Sequence, residues 1–154
     1  MKKLARGKTL EKDVNKVNLR YRREGLALIM KNPVPMAITS RGIIPSSAIV
    51  DWSGVIKGGR FCAIEGKQTK EKSLPLASIK EHQVEYLRMT DNLGGLAYLL
   101  VCFTAFGDHY LIPARIVTDY WDKAKVSGRK SIPRTELSEY KAEINDYLNL
   151  NNHN

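Results

Sequence analysis

Apolar residues follow helical spacing near the amino terminus and then change to short continuous runs. A helix that Thr9 can cap and Gly25 ends is predicted by the apolar stripe of Leu10, Val14, Val17 and Tyr21. The run 26–30 predicts a buried strand, which Pro33 and Pro35 must stop because proline fits neither a helix interior nor a central strand.

Strand and helix patterns alternate through the rest of the chain. Strands flank Gly58-Gly59, and the continuous apolar run 96–103 predicts a strand covered on both faces. Ser78 followed by Glu81 is a capping box, which predicts a helix start at Ser78. The remaining predicted elements are a strand at 109–112, a helix at 114–125, and a last helix from Arg134 with Leu137, Tyr140, Ile144, Tyr147 and Leu148 in register. This order predicts one α/β domain over 1–154, a mixed central sheet flanked by helices.

Two segments fall outside this pattern. Residues 1–8 form a basic tail, and residues 33–47 predict a short projecting arm that carries Arg41. No signal peptide precedes the basic start and no apolar run is long enough to cross a bilayer, so we expect a cytoplasmic protein without a membrane partner. Two cysteines, Cys62 and Cys102, lie in apolar runs and are expected to be reduced core residues.

The charge balance adds a partner to this picture. Lys and Arg total 25 against 16 acidic residues, a formal charge of +9. Such a balance in a small domain favours DNA as the partner, although solubility alone is the simpler alternative. The basic residues that we expect to contact DNA are Lys2, Lys3, Arg6, Lys8, Arg41, Lys70, Lys72, Arg129 and Lys130.

The candidate chemistry lies in the two strands around Gly58-Gly59. Asp51 enters the first strand, and the second carries Glu65 and Lys67, which share a face because they are two residues apart. An Asp and a Glu supply hard oxygen ligands for Mg²⁺, and a lysine beside them can offset charge as a phosphodiester is cut. The pattern indicates a metal-dependent nuclease, and the alternative is an ordinary hairpin with two surface carboxylates.

The register of this hairpin decides whether the carboxylates meet. A two-residue turn at Gly58-Gly59 places Asp51 opposite Gly66, so Asp51 then points away from Glu65. Either a bulge or a three-residue loop is needed to bring the two together. We predict a bulge or sharp bend that uses Gly54.

Two polar residues on the predicted helices can add to this site. Gln83 lies on the predicted inner face of the helix from Ser78, and Glu11 borders the buried stripe of the first helix. Such residues are more often satisfied or solvated than catalytic, but both are candidates if their faces approach the metal. The sequence contains no zinc-like Cys/His spacing, Walker loop or nucleophile elbow.

The element order and the Asp…Glu-x-Lys pattern resemble those of the restriction-endonuclease-like fold. Over most of its length the chain resembles a single family, the RecU-type Holliday-junction resolvases of Gram-positive bacteria and their phages. The resemblance rests on Arg6-Gly7-Lys8-Thr9-Leu10-Glu11, Asn15, Asn18, Tyr21, Lys31-Asn32-Pro33-Val34-Pro35, Val50-Asp51-Trp52-Ser53-Gly54-Val55, Ile64-Glu65-Gly66-Lys67-Gln68-Thr69, Leu74-Pro75-Leu76, Glu81-His82-Gln83 and Gly94-Gly95.

This resemblance implies a homodimer that cuts four-way DNA junctions symmetrically with Mg²⁺, for which Mn²⁺ substitutes. It implies metal ligation by Asp51 and Glu65, with Gln83 as a further ligand or a group that orients water, and transition-state stabilisation by Lys67. We expect Glu11 to approach this site from the first helix, behind the ligands. The family's arm enters the junction centre, but here it is short, and Ile49 stands where the family often has a metal-binding threonine. The alternatives are a nuclease of the same fold without strict junction preference and a basic DNA-binding protein that does not cut.

Overall fold

A six-stranded sheet organises the residues that the computed structural model describes, 8–45, 49–126 and 128–151. The helices are α1 (Lys8–Arg23), α2 (Glu81–Asn92) and α3 (Ala114–Val126). The strands are β1 (Ala27–Lys31), β2 (Met36–Thr39), β3 (Gly42–Pro45), β4 (Trp52–Ile56), β5 (Arg60–Thr69), β6 (Ser73–Pro75), β7 (Leu96–Phe103), β8 (Asp108–Pro113), β9 (Ser131–Pro133) and β10 (Lys141–Ala142). The sheet has the order β1-β4-β5-β7-β8-β10, with β5 and β7 parallel and the other neighbours antiparallel.

Strand β7 shows why helices cover both faces of this sheet. Its odd-numbered residues from Leu99 to Phe103 pack with buried side chains of α2 and α3, whereas Leu100 and Cys102 pack with the buried stripe of α1. Successive residues of a strand point to opposite faces, so a continuous apolar run needs cover on both sides. The predicted mixed sheet between helices is confirmed.

Helix α1 matches its prediction closely. Its stripe at Leu10, Val14, Val17 and Tyr21 is buried against the sheet, and Gly25 follows the helix with a φ of +68°. A positive φ suits glycine, which lacks the Cβ atom that makes this conformation costly. None of the helices in the described residues is long and apolar enough to span a membrane.

The carboxyl-terminal part of the described chain contradicts the prediction of a last helix from Arg134. Strand β9 pairs with β6, and beyond it the chain forms short 3₁₀ turns at Arg134–Glu136, Ser138–Tyr140 and Ile144–Asp146. Tertiary contacts replace the helix: Arg134 forms an ion pair with Asp108, and the Tyr147 hydroxyl donates a hydrogen bond to Asn18 of α1. The residues at helical spacing, such as Leu137 and Tyr147, are buried, but they belong to an irregular segment and not to a helix.

The start of α2 also differs from its prediction. Residues Leu76–Ser78 form a 3₁₀ turn, and the α-helix begins three residues later than predicted, at Glu81. The Ser78 hydroxyl donates to the Pro75 carbonyl (2.6 Å). The side chain that caps the helix is Gln83, whose Oε1 accepts from the backbone N–H of Lys80 (3.1 Å). The predicted capping box at Ser78 and Glu81 is therefore wrong.

The predicted arm contains a β-hairpin. Among the described residues, strands β2 and β3 pair only with each other, as a two-stranded sheet separate from the central one. Ile38 and Ile43 face one another across the hairpin and are 88% and 66% exposed. Arg41 lies in the turn between the strands and is exposed as well. The hairpin is joined to the sheet through Asn32 on one side and Val50 on the other.

Candidate active site

The register between β4 and β5 is set by a three-residue loop. Ile56 pairs with Arg60, which leaves residues 57–59 as the loop, and the Gly59 N–H donates to the Ile56 carbonyl (2.9 Å). Gly58 and Gly59 have φ angles of +103° and +92°, which glycine adopts without strain. The extra loop residue shifts the register by one, and its continuation beyond Trp52 sets Asp51 opposite Glu65.

The predicted bulge at Gly54 is wrong, because β4 pairs without interruption from Trp52 to Ile56. The three-residue loop, the other possibility, achieves the same result. Gly54 has a different role: a Cβ atom there would lie 1.8 Å from the carbonyl oxygen of Leu28 in β1. Glycine is needed at this position for the close approach of two strands.

Asp51 and Glu65 are held together by backbone hydrogen bonds. The Asp51 N–H donates to Glu65 Oε2 (3.1 Å), and the Gly66 N–H donates to Asp51 Oδ2 (2.9 Å). A Cβ atom on Gly66 would lie 2.8 Å from the Trp52 ring, so a glycine is required between Glu65 and Lys67. The two carboxylates therefore meet where Asp51 leads into β4 beside the middle of β5.

Glu65 is the buried centre of the site. The residue is 2% exposed, and its Oε1 accepts from Gln83 Nε2 (2.8 Å) and lies 3.3 Å from Lys67 Nζ. Burial and, to a smaller extent, the Asp51 carboxylate raise the pKa of Glu65 to about 7, although the Lys67 ammonium opposes this rise. Two carboxylates with one ammonium thus leave negative charge in a poorly solvated place.

This donor set fits a divalent cation. Carboxylate oxygens from Asp51 and Glu65 are the hard ligands that Mg²⁺ and Mn²⁺ accept, and a cation would offset the charge that raises the pKa of Glu65. Within the described residues no group of three or more His, Cys, Asp or Glu side chains forms a metal site. The remaining positions around a cation would therefore fall to backbone or amide oxygens, water or substrate, which is usual for Mg²⁺.

Gln83 reaches the site, but its oxygen points elsewhere. Its Nε2 donates to Glu65, while its Oε1 caps α2 at the backbone of Lys80. In this arrangement Gln83 orients the Glu65 carboxylate, and the structure does not present its oxygen as a ligand.

Glu11 is connected to the site through Lys31 and Trp52. It pairs with Lys31 Nζ (3.1 Å), which in turn stands 5.5 Å from the centre of the Trp52 ring. Asn15, on the same helix, accepts a hydrogen bond from Trp52 Nε1 (2.8 Å). Helix α1 thus supports the residue that follows Asp51. Ile49, which stands where the family often has a threonine, is exposed just before this segment.

Two side chains beside Asp51 were missed as site residues in the sequence. Asn32 Nδ2 donates to the Val50 carbonyl (3.0 Å), and the Ser53 hydroxyl donates to Asn32 Oδ1 (3.0 Å). Hydrogen bonds from a side chain to a distant backbone carbonyl follow no sequence periodicity. The only available signal was the presence of Asn32 and Ser53 in motifs shared with the resembled family.

The predicted DNA-contacting residues divide into three groups. Lys2, Lys3 and Arg6 lie outside the described residues, as does the side chain of Lys8. Arg41, Lys70 and Lys72 are exposed. Arg129 and Lys130 are exposed but engaged within the molecule: Arg129 pairs with Glu136 (3.0 Å), and Lys130 Nζ donates to the Ala124 carbonyl (2.6 Å).

Comparison with known proteins gives a consistent result. Residues 5–151 match the family model described as recombination protein U. The chain is 32% identical over 148 residues to the Holliday junction resolvase RecU of Geobacillus sp. (strain WCH70), covering 88% of this chain and 73% of that protein. It is 35% identical over 147 residues to the corresponding protein of Bacillus pumilus (strain SAFR-032), covering 87% and 70%.

A solved structure supports the fold independently of close sequence similarity. The chain superimposes on Archaeoglobus fulgidus Hjc, described as a Holliday junction resolvase, with a TM-score of 0.55 and 16% identity, covering 91% of this chain and 98% of that one. At this identity the likeness concerns the fold alone. The chain has the restriction-endonuclease-like mixed sheet predicted from its sequence.

Proposed function

The chain belongs to the recombination protein U (RecU) family, and from this membership and its paired carboxylates we propose that it is a metal-dependent endonuclease that resolves four-way Holliday junctions in DNA. The observation that carries the proposal is the contact of Asp51 with buried Glu65, with Lys67 Nζ 3.3 Å from Glu65. A DNA-binding protein that does not cut has no need of clustered carboxylates, which repel phosphate.

The residues of the site have separable roles in phosphodiester hydrolysis. A divalent cation, in our proposal Mg²⁺ with Mn²⁺ as a substitute, would polarise the phosphate and acidify a water when bound by Asp51 and Glu65. Gln83 and the Asp51 N–H each hold one oxygen of Glu65, which fixes the orientation of that carboxylate. The Lys67 ammonium offsets charge that develops on the phosphate oxygens.

The products depend on the direction of attack. The oxygen of water bonds to phosphorus as the bond from phosphorus to the 3′ oxygen breaks, and that oxygen leaves with a proton. We therefore expect 5′-phosphate and 3′-hydroxyl ends.

Glu11 has a supporting role, because it orients Lys31 beside the Trp52 ring.

The hairpin of β2 and β3 is suited to junction recognition. Ile38 and Ile43 expose apolar side chains near its turn, and Arg41 adds a positive charge between them. Apolar side chains can pack against unstacked bases, and arginine can bind a phosphate. We expect this arm, short as it is, to contact the open centre of the junction.

Paired cutting requires two active sites, so the active form is expected to be a homodimer. The apolar stripe of α1 is buried within the chain and is not available for an interface. An exposed apolar row is available instead: Leu28, Val55 and Phe61 are cross-strand neighbours on β1, β4 and β5. Their side chains share one face of the sheet, and we propose that a second copy covers this row.

A substrate comparison tests the function. The protein is incubated with a four-way junction and with linear duplexes of the same sequence, in Mg²⁺, in Ca²⁺ and in chelator. We expect paired symmetric cuts in the junction with Mg²⁺ only, and the junction bound but uncut with Ca²⁺ or chelator. Asp51→Asn should bind and not cut, whereas Asp91→Asn, the same charge change at an exposed aspartate of α2, should cut normally.

The other outcomes are equally informative. Equal cutting of junction and duplex would replace junction resolution with general duplex cleavage by the same site. Cutting by Asp51→Asn would refute the site, and binding without cutting under every condition would leave a DNA-binding protein.

A further inference from the structure

The chain leaves the central sheet for the arm and returns to it at one place. Asn32 directly follows β1, and its backbone N–H donates to the Asp51 carbonyl (2.8 Å). The side chain of the same residue donates from Nδ2 to the Val50 carbonyl (3.0 Å). Asn32 thus makes two hydrogen bonds to the returning strand, and both acceptors lie at or next to a carboxylate residue of the site.

A third hydrogen bond completes this contact. The Ser53 hydroxyl donates to Asn32 Oδ1 (3.0 Å), so both polar atoms of the amide are used. The side chain of Asn32 therefore bridges residues 50 and 53 and spans the two residues between them, of which Asp51 is the first. On its other side Asp51 is bonded to Glu65 and Gly66 of β5.

The bond to Val50 is costly to lose. Val50 is 1% exposed, so its carbonyl has little access to water if Nδ2 is removed. A buried backbone acceptor without a partner is unfavourable, and the chain would shift to satisfy it. Any such shift moves the residue next to Asp51, whose carboxylate must keep its position relative to Glu65.

We propose that Asn32 is a positioning residue for Asp51, and that Ser53 supports it by orienting the amide. The proposal rests on the proposed function for the identity of Asp51 as a metal ligand. It adds that the base of the arm and this ligand form one hydrogen-bonded unit, so that the amide of Asn32 tunes metal affinity. A residue with a general structural role would instead affect folding, DNA binding and maximal rate together.

Three variants and one control separate these two roles. Asn32→Ala removes both side-chain bonds, Ser53→Ala removes only the orienting bond, and Ser53→Thr keeps a hydroxyl. Asn92→Ala changes an exposed asparagine at the end of α2 and serves as the control. The measurements are Mn²⁺ affinity by calorimetry without DNA, the Mg²⁺ concentration for half-maximal cutting, the cutting rate at saturating Mg²⁺, and junction affinity in Ca²⁺.

We expect Asn32→Ala to weaken Mn²⁺ binding about tenfold, which matches the loss of one or two hydrogen bonds near a ligand. Its half-maximal Mg²⁺ concentration should rise by the same factor, with the rate at saturating Mg²⁺ and the junction affinity within about threefold of the unchanged protein. Ser53→Ala should show a shift of about threefold, and Ser53→Thr and Asn92→Ala should show none.

Unchanged Mn²⁺ affinity in folded Asn32→Ala would overturn the proposal, as would a loss of cutting that excess metal does not restore. If Asn32→Ala does not fold, the Ser53 pair decides: equal Mn²⁺ affinity in the alanine and threonine variants would overturn it. Calorimetry needs no DNA, so it tests Asn32 even if the protein cuts no junction. Absence of junction cutting would count against the proposed function. The positioning role of Asn32 would then be decided by Mn²⁺ affinity alone.

Discussion

The candidate active site and the arm differ in almost every physical respect, although one chain segment joins them. Glu65 is 2% exposed, and each of its oxygens accepts a hydrogen bond. Ile38, at the far end of the arm, is 88% exposed. The site is polar and enclosed, and the arm is apolar and open. The polar groups of the site are buried with hydrogen-bond partners, as is usual in proteins, whereas the arm leaves large apolar side chains in water.

The supports of the two regions explain the difference. Glu65 lies on β5 and Asp51 immediately precedes β4, and each of these strands has a hydrogen-bonded neighbour on both sides in the six-stranded sheet. In the part of the arm that the structure describes, β2 and β3 pair with each other and with no further strand, an arrangement that is marginally stable alone in water. The carboxylates that we propose as metal ligands lie where the backbone is held on both sides. Apolar side chains that remain exposed are placed where a partner can cover them.

The largest contrast should come from removing the buried charge at the site with Glu65→Gln. Cutting should fall by about a thousandfold or more, because a ligand charge is lost, while junction binding in Ca²⁺ persists. Lys67→Ala should also reduce cutting strongly while junction binding persists. The measurement is single-turnover cleavage beside an electrophoretic binding assay. Full activity of Glu65→Gln would remove Glu65 from the site.

Without metal, the Glu65→Gln variant should be more stable than the unchanged protein at alkaline pH. The folded pKa of Glu65 is about 7 against an ordinary value of 4.5. Between these values the folded protein holds a proton that the unfolded chain releases, so stability falls as pH rises through this window and stays lower above it. The difference is up to about 3 kcal/mol.

Glutamine carries no charge and escapes this loss. Thermal unfolding in chelator should therefore show that the stability of Glu65→Gln, relative to the unchanged protein, increases between pH 5 and pH 8. Glu71→Gln, at an exposed position, is the control and should show no such gain. Equal pH dependence of both variants would contradict the burial of a charged carboxylate.

An intermediate effect is expected from the arm. Replacing Ile38 and Ile43 by serine should weaken junction affinity about tenfold, because the apolar surface offered to unstacked bases is lost. Linear duplex binding and Mn²⁺ affinity should stay within about twofold, since the site does not depend on these side chains. Binding in Ca²⁺ measures the effect, with Leu19→Ser, an exposed leucine of α1, as the control. An equal loss of affinity for junction and duplex DNA would show that the arm does not contribute to junction selectivity.

A similar contrast separates the elements that could be predicted from the sequence from those that could not. Periodicity predicted α1, β7 and α3 because each places a regular apolar face against the core. It failed after Arg134, where Leu137 and Tyr147 are buried by an irregular chain held by long-range contacts. Spacing shows which residues are buried, and it cannot separate a helix from a series of turns that anchors at similar intervals.

The sequence predicted the candidate ligands of the site but did not decide their geometry. Asp51 and Glu65 were identified because two carboxylates and a lysine in neighbouring strands have a clear chemical use. Sequence also showed that an ideal two-residue turn would separate them, but not whether the loop or Gly54 supplied the correction. Gly58 and Gly59, both with positive φ, allow a three-residue loop at 57–59, and β4 pairs with β5 without a bulge. Asn32 acts through backbone carbonyls, which leave no pattern to read.

The smallest effect should separate two basic segments that look alike in sequence. Lys70 and Lys72 follow β5 and are exposed, whereas Arg129 is paired with Glu136 and Lys130 with a backbone carbonyl. Each lysine that neutralises a phosphate adds about 0.9 to the salt dependence of affinity on duplex DNA. Alanine at 70 and 72 should therefore lower the slope of log affinity against log salt by about two.

Alanine at 129 and 130 should lower that slope by less than one, because these cations must first leave partners within the molecule. Fluorescence anisotropy with a labelled junction in Ca²⁺, over a range of salt, measures both slopes. At moderate salt the first double variant should lose a few-fold in affinity and the second less than twofold. A larger effect at 129 and 130 would move the proposed DNA path from the segment that follows β5 to the loop after α3.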